Sequence, residues 1–145
     1  MLQDAFAKVY NKFKLQFYTK FFERAQEREA SLTTVETFCM EIIHSVERPT
    51  VQEFAKIAHI SGPNAAYKIG CLMKKGYLKK TRSEVDKRAY YLEVTDKYMK
   101  YYNIGYDYIG VVMDRIKEKF SPEEVETLER ILVAMNEELM PELEF

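Results

Sequence analysis

The sequence predicts a mainly α-helical protein with one small β-hairpin, arranged as a winged helix-turn-helix flanked by long N- and C-terminal helices. Apolar residues recur at steps of three and four along most of the 145 residues, which is the period of an amphipathic helix. Ser or Thr residues suited to N-caps precede several of these segments. Between residues 77 and 94 the pattern changes to two short runs rich in aromatic and β-branched residues, which is typical of a hairpin.

The composition is typical of a globular protein with a single core. Hydrophobic residues make up 47% of the chain and charged residues 31%. The sequence contains no apolar run of about 18 residues and no signal peptide, so we expect no association with a membrane. Two cysteines, Cys39 and Cys71, are too few for a disulfide framework, which favours a cytoplasmic protein.

The first helix is predicted from Leu2 to about Arg28. Its apolar side chains recur along one strongly aromatic stripe, which consists of Leu2, Phe6, Val9, Phe13, Phe17 and Phe21. Tyr18 and Phe22 widen this stripe. A connection is expected over residues 29–32.

Three helices with hydroxyl N-caps are predicted next. Thr33 and Thr50 each stand three residues before a glutamate, which predicts two capping boxes. Ser61 precedes Pro63, a residue that fits a first helical turn. A short helix, a tight turn around Ile60 and a longer helix have the spacing of a helix-turn-helix. The residues expected to face the core are Phe38, Ile42, Ile43, Val46, Phe54, Ile57, Ala58, Ile60, Ala65, Ile69, Leu72 and Met73.

The hairpin is predicted directly after the third of these helices. Gly76 follows two lysines and is suited to end the helix. Strands are expected over residues 77–82 and 88–94, joined by a polar turn over residues 83–87.

Two further helices complete the predicted fold. Thr95 is expected to cap a helix that extends to about Phe120. Ser121 and Glu124 predict a third capping box, at the start of a last helix that extends to about Met140.

The terminal helices carry more apolar surface than one winged helix can cover. We therefore expect them to cover each other across a two-fold axis in a homodimer. Residues 1–145 would then form a single domain, with a winged-helix lobe over 33–95 and dimerisation helices over 1–30 and 96–145. A closed helical cap on a monomer is the alternative.

Positive charge is concentrated in the third helix and the hairpin. Residues 61–90 contain eight basic and two acidic residues, a net charge of +6, whereas the whole chain has a formal net charge of −1. Residues 121–145 contain eight glutamates and one arginine. A basic helix and hairpin on an otherwise acidic body indicate a winged helix that binds DNA. A solvated lysine-rich surface is the alternative.

The segment LMKKGYLKKTRSEVDKRAYYLEVT resembles the MarR family of winged-helix transcription regulators. The resemblance is carried by Leu-x-x-x-Gly (Leu72–Gly76), by Asp-x-Arg at the wing tip (Asp86–Arg88) and by the closing Leu-x-x-Thr (Leu92–Thr95). In helix order it extends over essentially the whole chain. The sequence departs from the family pattern after the closing threonine, where the usual glycine is absent. It departs again late in the recognition helix, where a glycine and a cysteine replace polar or basic residues.

The first turns of the recognition helix are predicted to face base edges in the major groove. The outward positions are Gly62, Pro63, Asn64, Ala66, Tyr67 and Lys68, and Ser61 at the helix N-terminus suits a phosphate. Asn64 could pair with adenine and Ala66 could contact a thymine methyl, which would favour A·T-rich sites. Tyr67 is expected to contact either DNA or the neighbouring helix.

The wing is predicted to place Arg88 in the minor groove, where A·T tracts concentrate negative potential. Asp86 is expected to hold the Arg88 guanidinium, and the alternative is a surface ion pair worth about 0–1 kcal/mol. The other basic residues of the wing are expected to contact phosphates, and these are Lys79, Lys80, Arg82 and Lys87.

Seven of the eleven tyrosines lie between the wing and the middle of the fifth helix: Tyr90, Tyr91, Tyr98, Tyr101, Tyr102, Tyr106 and Tyr108. The family resemblance implies that a small aromatic or lipophilic effector could bind there. Packing of the rings in the core and the dimer interface is the favoured interpretation. Cys71 could sense oxidants, but a buried, inert thiol is favoured.

No catalytic or metal-binding constellation is present. His44 and His59 are isolated, and Cys39 lies about 140° around a helix from His44. We therefore expect no enzyme, no metal site and no cofactor. The sequence predicts a homodimeric transcription regulator, most simply a repressor, that binds pseudo-palindromic double-stranded DNA with half-sites about one helical turn apart. The alternative is a winged-helix module that binds proteins and has no DNA target.

Overall fold

The computed structural model describes residues 1–25 and 32–143, with the side chains of all of these except 25 and 101–104. The elements in chain order are α1 (Leu2–Ala25), α2 (Thr34–Ser45), α3 (Val51–Ile57), α4 (Gly62–Lys74), β1 (Leu78–Arg82), β2 (Tyr90–Val94), α5 (Asp96–Lys119), α6 (Pro122–Glu137) and a 3-10 turn (Pro141–Leu143). The predicted fold class, mainly α with a small hairpin wing, is confirmed. The predicted end of the first helix near Arg28 lies outside the described residues.

The chain divides into two compact units, Met1–Ile104 and Gly105–Phe145. The first unit contains α1 to α4, the hairpin and the start of α5. The second contains the rest of α5 and all of α6. Helices in the described ranges are all too short or too polar to cross a membrane.

Hydroxyl N-caps begin four helices, as the sequence predicts. The capping side chains are those of Thr33, Thr50, Ser61 and Ser121. Ser121 and Glu124 form a complete, reciprocal capping box. The box predicted at Thr33 forms in part: the Thr33 hydroxyl accepts from the N–H of Glu36 at 3.2 Å. The carboxylate of Glu36 accepts from the Thr33 hydroxyl at 3.1 Å and from the ammonium of Lys75 at 2.8 and 2.9 Å. This half-buried ion pair ties the start of α2 to the end of α4.

The turn of the helix-turn-helix closes α3 in the manner of a Schellman motif. The N–H of Ile60 donates to the Ala55 carbonyl at 3.1 Å, and the N–H of His59 donates to the Lys56 carbonyl at 3.3 Å. His59 occupies the left-handed position with a φ of 54°, where glycine is usual. Ile60 packs against the hydrophobic core, as predicted.

The end of α4 has the same closure, with Gly76 at a φ of 83°. The N–H of Tyr77 donates to the Leu72 carbonyl at 3.1 Å, and this brings the Tyr77 ring fully into the core. Thr95, which was predicted to cap α5, directly precedes it, and its carbonyl accepts from the N–H of Met99 at 3.0 Å. Its hydroxyl donates to the Gly76 carbonyl at 2.6 Å, so it fastens the start of α5 to the end of α4.

The core of the first unit lies between α2, α3, α4, the hairpin and the start of α5. Its most fully buried apolar side chains are Met40, Ile43, Phe54, Ala65, Leu72, Tyr77, Leu92 and Tyr98. Two residues predicted to face the core are exposed: Phe38 is 55% exposed and Met73 is 38% exposed. The buried face of α2 is centred on Met40 and Ile43, which turns Phe38 outwards.

The hairpin is antiparallel, with its register running from Leu78 opposite Val94 to Arg82 opposite Tyr90. The predicted strands were longer, and Arg88 lies in the loop over residues 83–89 rather than in a strand. A bridge between Thr50 and Tyr91 joins the start of α3 to β2.

Large apolar side chains remain exposed on α1 and α6. On α1 they are Leu2, Phe6, Val9, Tyr10, Leu15, Tyr18 and Phe22, and on α6 they are Ile131, Leu132 and Val133. None of the residues of α6 is buried. Within the second unit, α5 and α6 line an apolar groove that includes Met113, Ile116, Val125, Leu128 and Leu132.

Candidate nucleic-acid interface

The outward face of α4 is set by the two residues that anchor it. Ala65 and Ile69 are buried in the core, which leaves Gly62, Pro63, Asn64, Ala66 and Tyr67 exposed and Lys68 half-buried. Tyr67 is 72% exposed, so it does not pack against the neighbouring helix. This face therefore carries hydrogen-bonding and apolar groups that are free to contact another molecule.

The N-terminus of α4 is ordered by Ser61. The Ser61 hydroxyl oxygen accepts from the N–H of Asn64 at 3.2 Å. The first turn of this 13-residue helix contains no acidic residue. Exposed N–H groups and the positive end of the helix dipole make such a terminus suitable for a phosphate.

The loop at the wing tip is held by hydrogen bonds within residues 83–89. The N–H of Ser83 donates to the Ala89 carbonyl, and the N–H of Ala89 donates to the Asp86 carbonyl, both at 2.9 Å. The Asp86 N–H donates to the Ser83 hydroxyl at 3.2 Å, and the Arg88 N–H donates to the Asp86 carboxylate at 3.0 Å. The loop thus presents its side chains from an ordered backbone.

Asp86 does not have the contact predicted for it. Its carboxylate accepts from the backbone N–H of Arg88, not from the guanidinium. An aspartate two residues before an N–H forms an Asx turn, and this local bond orders the loop. Within residues 1–25 and 32–143, the exposed guanidinium of Arg88 forms no ion pair. It lines a groove, together with Lys80, between the wing and the start of α3.

The remaining basic residues of the wing fall into two sets. Lys80 lies 4.6 Å from the Tyr90 ring centroid, and Arg82 donates from Nε to the carbonyl of the exposed Lys87 at 2.7 Å. All three keep donors available to solvent. Lys79 differs, because its ammonium pairs with Glu93 at 3.3 Å.

The main ion-pair partner of Glu93, which is Arg48, was not identified from the sequence. Arg48 donates from Nε to Glu93 at 2.6 Å, and its guanidinium lies 4.7 Å from the centroid of the Tyr91 ring. Hydrogen bonds from Arg48 first, and then from Lys79, hold the pKa of Glu93 below its ordinary value. Arg48 and Glu93 are 45 positions apart, so no local pattern could have indicated the pair.

A family model matches this lobe. Residues 32–90, which contain α2, α3, α4, β1 and the wing loop, match the MarR family. The match covers 59 of the 145 residues and marks this segment as similar to a MarR-family domain. The MarR family consists of DNA-binding transcription regulators, not enzymes, and the resemblance found in the sequence is confirmed.

Solved structures share the fold of the MarR domain and of its flanking helices. A crystal structure of FabT from Streptococcus pneumoniae in complex with DNA has a TM-score of 0.61, with 17% identity over 99% of this chain and 100% of that one. A MepR variant from S. aureus has a TM-score of 0.67, with 15% identity over 97% and 98%. The transcriptional regulator Tm0710 from Thermotoga maritima has a TM-score of 0.63, with 16% identity over 93% and 94%. No protein of curated function matches the chain significantly.

The cysteines of the MarR domain differ in environment. Cys39 is buried in the core, as predicted, and burial raises the pKa of its thiol. Cys71 was expected to be buried but is only half-buried. It stands on α4 beside Gly70, whose added Cβ would meet open space.

The tyrosines after the wing do not share one environment. Tyr98 is buried, as the packing interpretation predicts, and its hydroxyl donates to Glu41 at 2.7 Å. Burial raises the pKa of Glu41, and the bond from Tyr98 opposes that rise. Tyr106 is exposed, while the side chains of Tyr101 and Tyr102 lie outside the described residues.

Proposed function

We propose that the protein is a cytoplasmic, homodimeric transcription regulator that represses by occupying duplex DNA. In this proposal α4 binds in the major groove and the wing tip binds in the adjacent minor groove. The main support for it is the guanidinium of Arg88, which is exposed and forms no ion pair with the described part of the chain, on an ordered wing loop that follows α4.

The outward face of α4 supports contact with base edges. Asn64 offers an amide that can pair with the N6 and N7 atoms of adenine, and Ala66 offers a methyl group to thymine. Tyr67 adds a hydroxyl and a ring that is free of protein contacts over most of its surface. Ser61 and the start of α4 suit a backbone phosphate.

The wing supports contact with the minor groove and with phosphates. Arg88 brings an exposed cation that forms no ion pair with the described residues, although Glu53 and Asp86 line the same groove. Narrow A·T-rich minor grooves attract arginine. Lys80, Arg82 and Lys87 suit phosphates because each keeps donors available to solvent. Lys79 contributes less to phosphate binding, because its ammonium is paired with the carboxylate of Glu93.

The exposed apolar surfaces support a homodimer. The aromatic stripe of α1 and the apolar face of α6 remain in contact with water in a single chain. Soluble proteins seldom leave apolar patches of this extent uncovered. A second copy offers the same patches, and two-fold symmetry lets each cover the other.

Duplex binding at two salt concentrations tests the proposal, with random-sequence and A·T-rich DNA. We expect salt-sensitive binding, which Arg88→Ala weakens by about 1–3 kcal/mol, most strongly on A·T-rich DNA. Arg115→Ala, which removes an exposed arginine of α5 in the second unit, is the matched control and should bind as wild type does. Absent or salt-insensitive binding by a folded dimer would instead favour the winged helix as a protein-interaction module.

The domain boundaries and the effector stay predictions. The winged-helix lobe over 33–95, the dimerisation helices over 1–30 and 96–145, and a small aromatic or lipophilic effector all rest on the sequence. Ligand-dependent release of DNA would support such an effector.

A further inference from the structure

The tip of the wing carries an apolar side chain that contributes nothing to the fold. Val85 is 99% exposed. Apolar side chains stabilise a fold by leaving water, and folding removes no surface of Val85 from water. The four hydrogen bonds of the wing loop nevertheless hold its backbone in place.

Two properties suit Val85 to contact a rigid partner. A β-branched side chain has few rotamers, so little conformational freedom is lost when it is covered. The exposed side chain also lies three residues before Arg88, on the same short loop. An apolar group and an unpaired guanidinium are therefore presented together.

The charges of the loop balance, so we do not expect net Coulomb attraction alone to hold the tip on DNA. Residues 83–89 contain Glu84 and Asp86 against Lys87 and Arg88, so the loop has no net charge. A tip that enters a groove between two rows of phosphates then depends on short-range contacts. Val85 is the apolar group available for such contacts.

We propose that Val85 packs against the sugar walls and floor of an A·T-rich minor groove, beside Arg88. The minor-groove floor of a G·C pair carries the N2 amino group of guanine, which A·T pairs lack. Val85 thus favours A·T pairs by fitting where that amino group would stand. Valine is shorter than the leucine, phenylalanine and methionine wedges that separate base steps. This inference rests on the proposed function of the wing.

The contact of Val85 with the minor-groove floor can be tested with three duplexes of repeating sequence, which are dA·dT, dG·dC and dI·dC. An inosine–cytosine pair has the major groove of G·C but lacks the N2 amino group in the minor groove. We expect wild type to bind dI·dC more tightly than dG·dC. In Val85→Ser that preference should fall by about fourfold or more, because apolar surface worth one or two methyl groups is lost. Val85→Ile should keep the preference.

The controls separate this inference from the proposed function. Val35→Ser changes another exposed valine, on α2, and should behave as wild type. The melting temperature of Val85→Ser should match wild type, because the side chain is fully exposed. If wild type binds duplexes but Val85→Ser keeps the full dI·dC preference, the role of Val85 is wrong and the proposed function stands. If wild type binds none of the three duplexes, both fail.

Discussion

The guanidinium of Arg48 donates from Nε to Oε1 of Glu93 over 2.6 Å, across the junction between α2 and the wing. Arg48 lies in the left-handed region with a φ of 66°, just before Pro49 and the start of α3. Lys79 pairs with the other carboxylate oxygen of Glu93 at 3.3 Å. This network fixes the base of the wing against the helices that precede it.

The Arg48–Glu93 pair predicts a pH-dependent difference in stability between wild type and Glu93→Gln. The folded state lowers the pKa of Glu93 below its ordinary value of 4.5. The pair therefore stabilises the fold at pH values above 4.5, and this contribution is lost as the pH falls through the lowered pKa. Wild type should exceed Glu93→Gln in free energy of unfolding near pH 7, and the difference should shrink as the pH falls below 4.5 and through the lowered pKa of Glu93.

Urea denaturation at several pH values measures that difference. Glu126→Gln is the control, because Glu126 is an exposed carboxylate of α6 and the described residues give it no ion pair. A difference between wild type and Glu93→Gln that does not depend on pH would contradict the stabilising role of the pair.

The two left-handed helix ends predict a large response to side-chain exchange at Gly76 and a small one at His59. Gly76→Ala should lower the free energy of unfolding by about 1–2 kcal/mol, because a φ of 83° is costly with a Cβ. The added Cβ would lie 3.7 Å from Lys97 Cδ, which is an ordinary contact, so the cost is conformational. His59→Gly removes the conformational cost of a side chain in the left-handed region, but it also makes the unfolded chain more flexible. Because these effects oppose each other, the free energy of unfolding should change by less than about 0.5 kcal/mol.

Gly70→Ala is the control for glycine replacement. Gly70 lies inside α4 with open space at its Cβ position, so alanine should raise the free energy of unfolding by about 0.5–1 kcal/mol. Thermal or urea denaturation of the three variants gives the comparison. An equal loss in Gly70→Ala and Gly76→Ala would show that backbone conformation is not the cause.

The exposed stripe of α1 predicts that a charge there weakens the proposed dimer. Phe6 is 51% exposed in a single chain. With a carboxylate in its place, association would no longer bury a phenyl ring and would remove a charge from water. Phe6→Glu should therefore weaken association by at least about 2–3 kcal/mol. Sedimentation over a range of concentrations measures this. Lys12→Glu, on the same helix at an exposed position, should leave the dimer intact.

Local patterns in the sequence predicted the helix starts and the order of elements correctly. The four hydroxyl caps and the closure at Gly76 depend on residues within five positions of each other, so the sequence alone indicates them. The periodicity of apolar residues did not fix the rotation of α2. Phe38 and Met40 are both hydrophobic, and only contact with α3 and β2 selects Met40 for the core.

The contacts that shape the candidate site were less predictable. Asp86 and Arg88 were correctly placed near each other, but the carboxylate binds a backbone N–H, and sequence spacing does not distinguish that from a guanidinium. The carboxylate of Glu36 contacts the Thr33 hydroxyl, but it also pairs with Lys75, which is 39 positions away. Ion pairs between distant segments arise from the packing of the fold, and no local sequence pattern predicts them.

The bond from the Thr95 hydroxyl to the Gly76 carbonyl couples the start of α5 to the end of α4. Lys97 adds a second tie, since its ammonium donates to the Lys75 carbonyl at 2.8 Å. Any tilt of the first turn of α5 therefore pulls directly on the end of α4. In the proposed dimer, the separation of the two α4 helices would follow that tilt. The half-site spacing that such a dimer accepts would thus depend in part on two hydrogen bonds at the junction of α4 and α5.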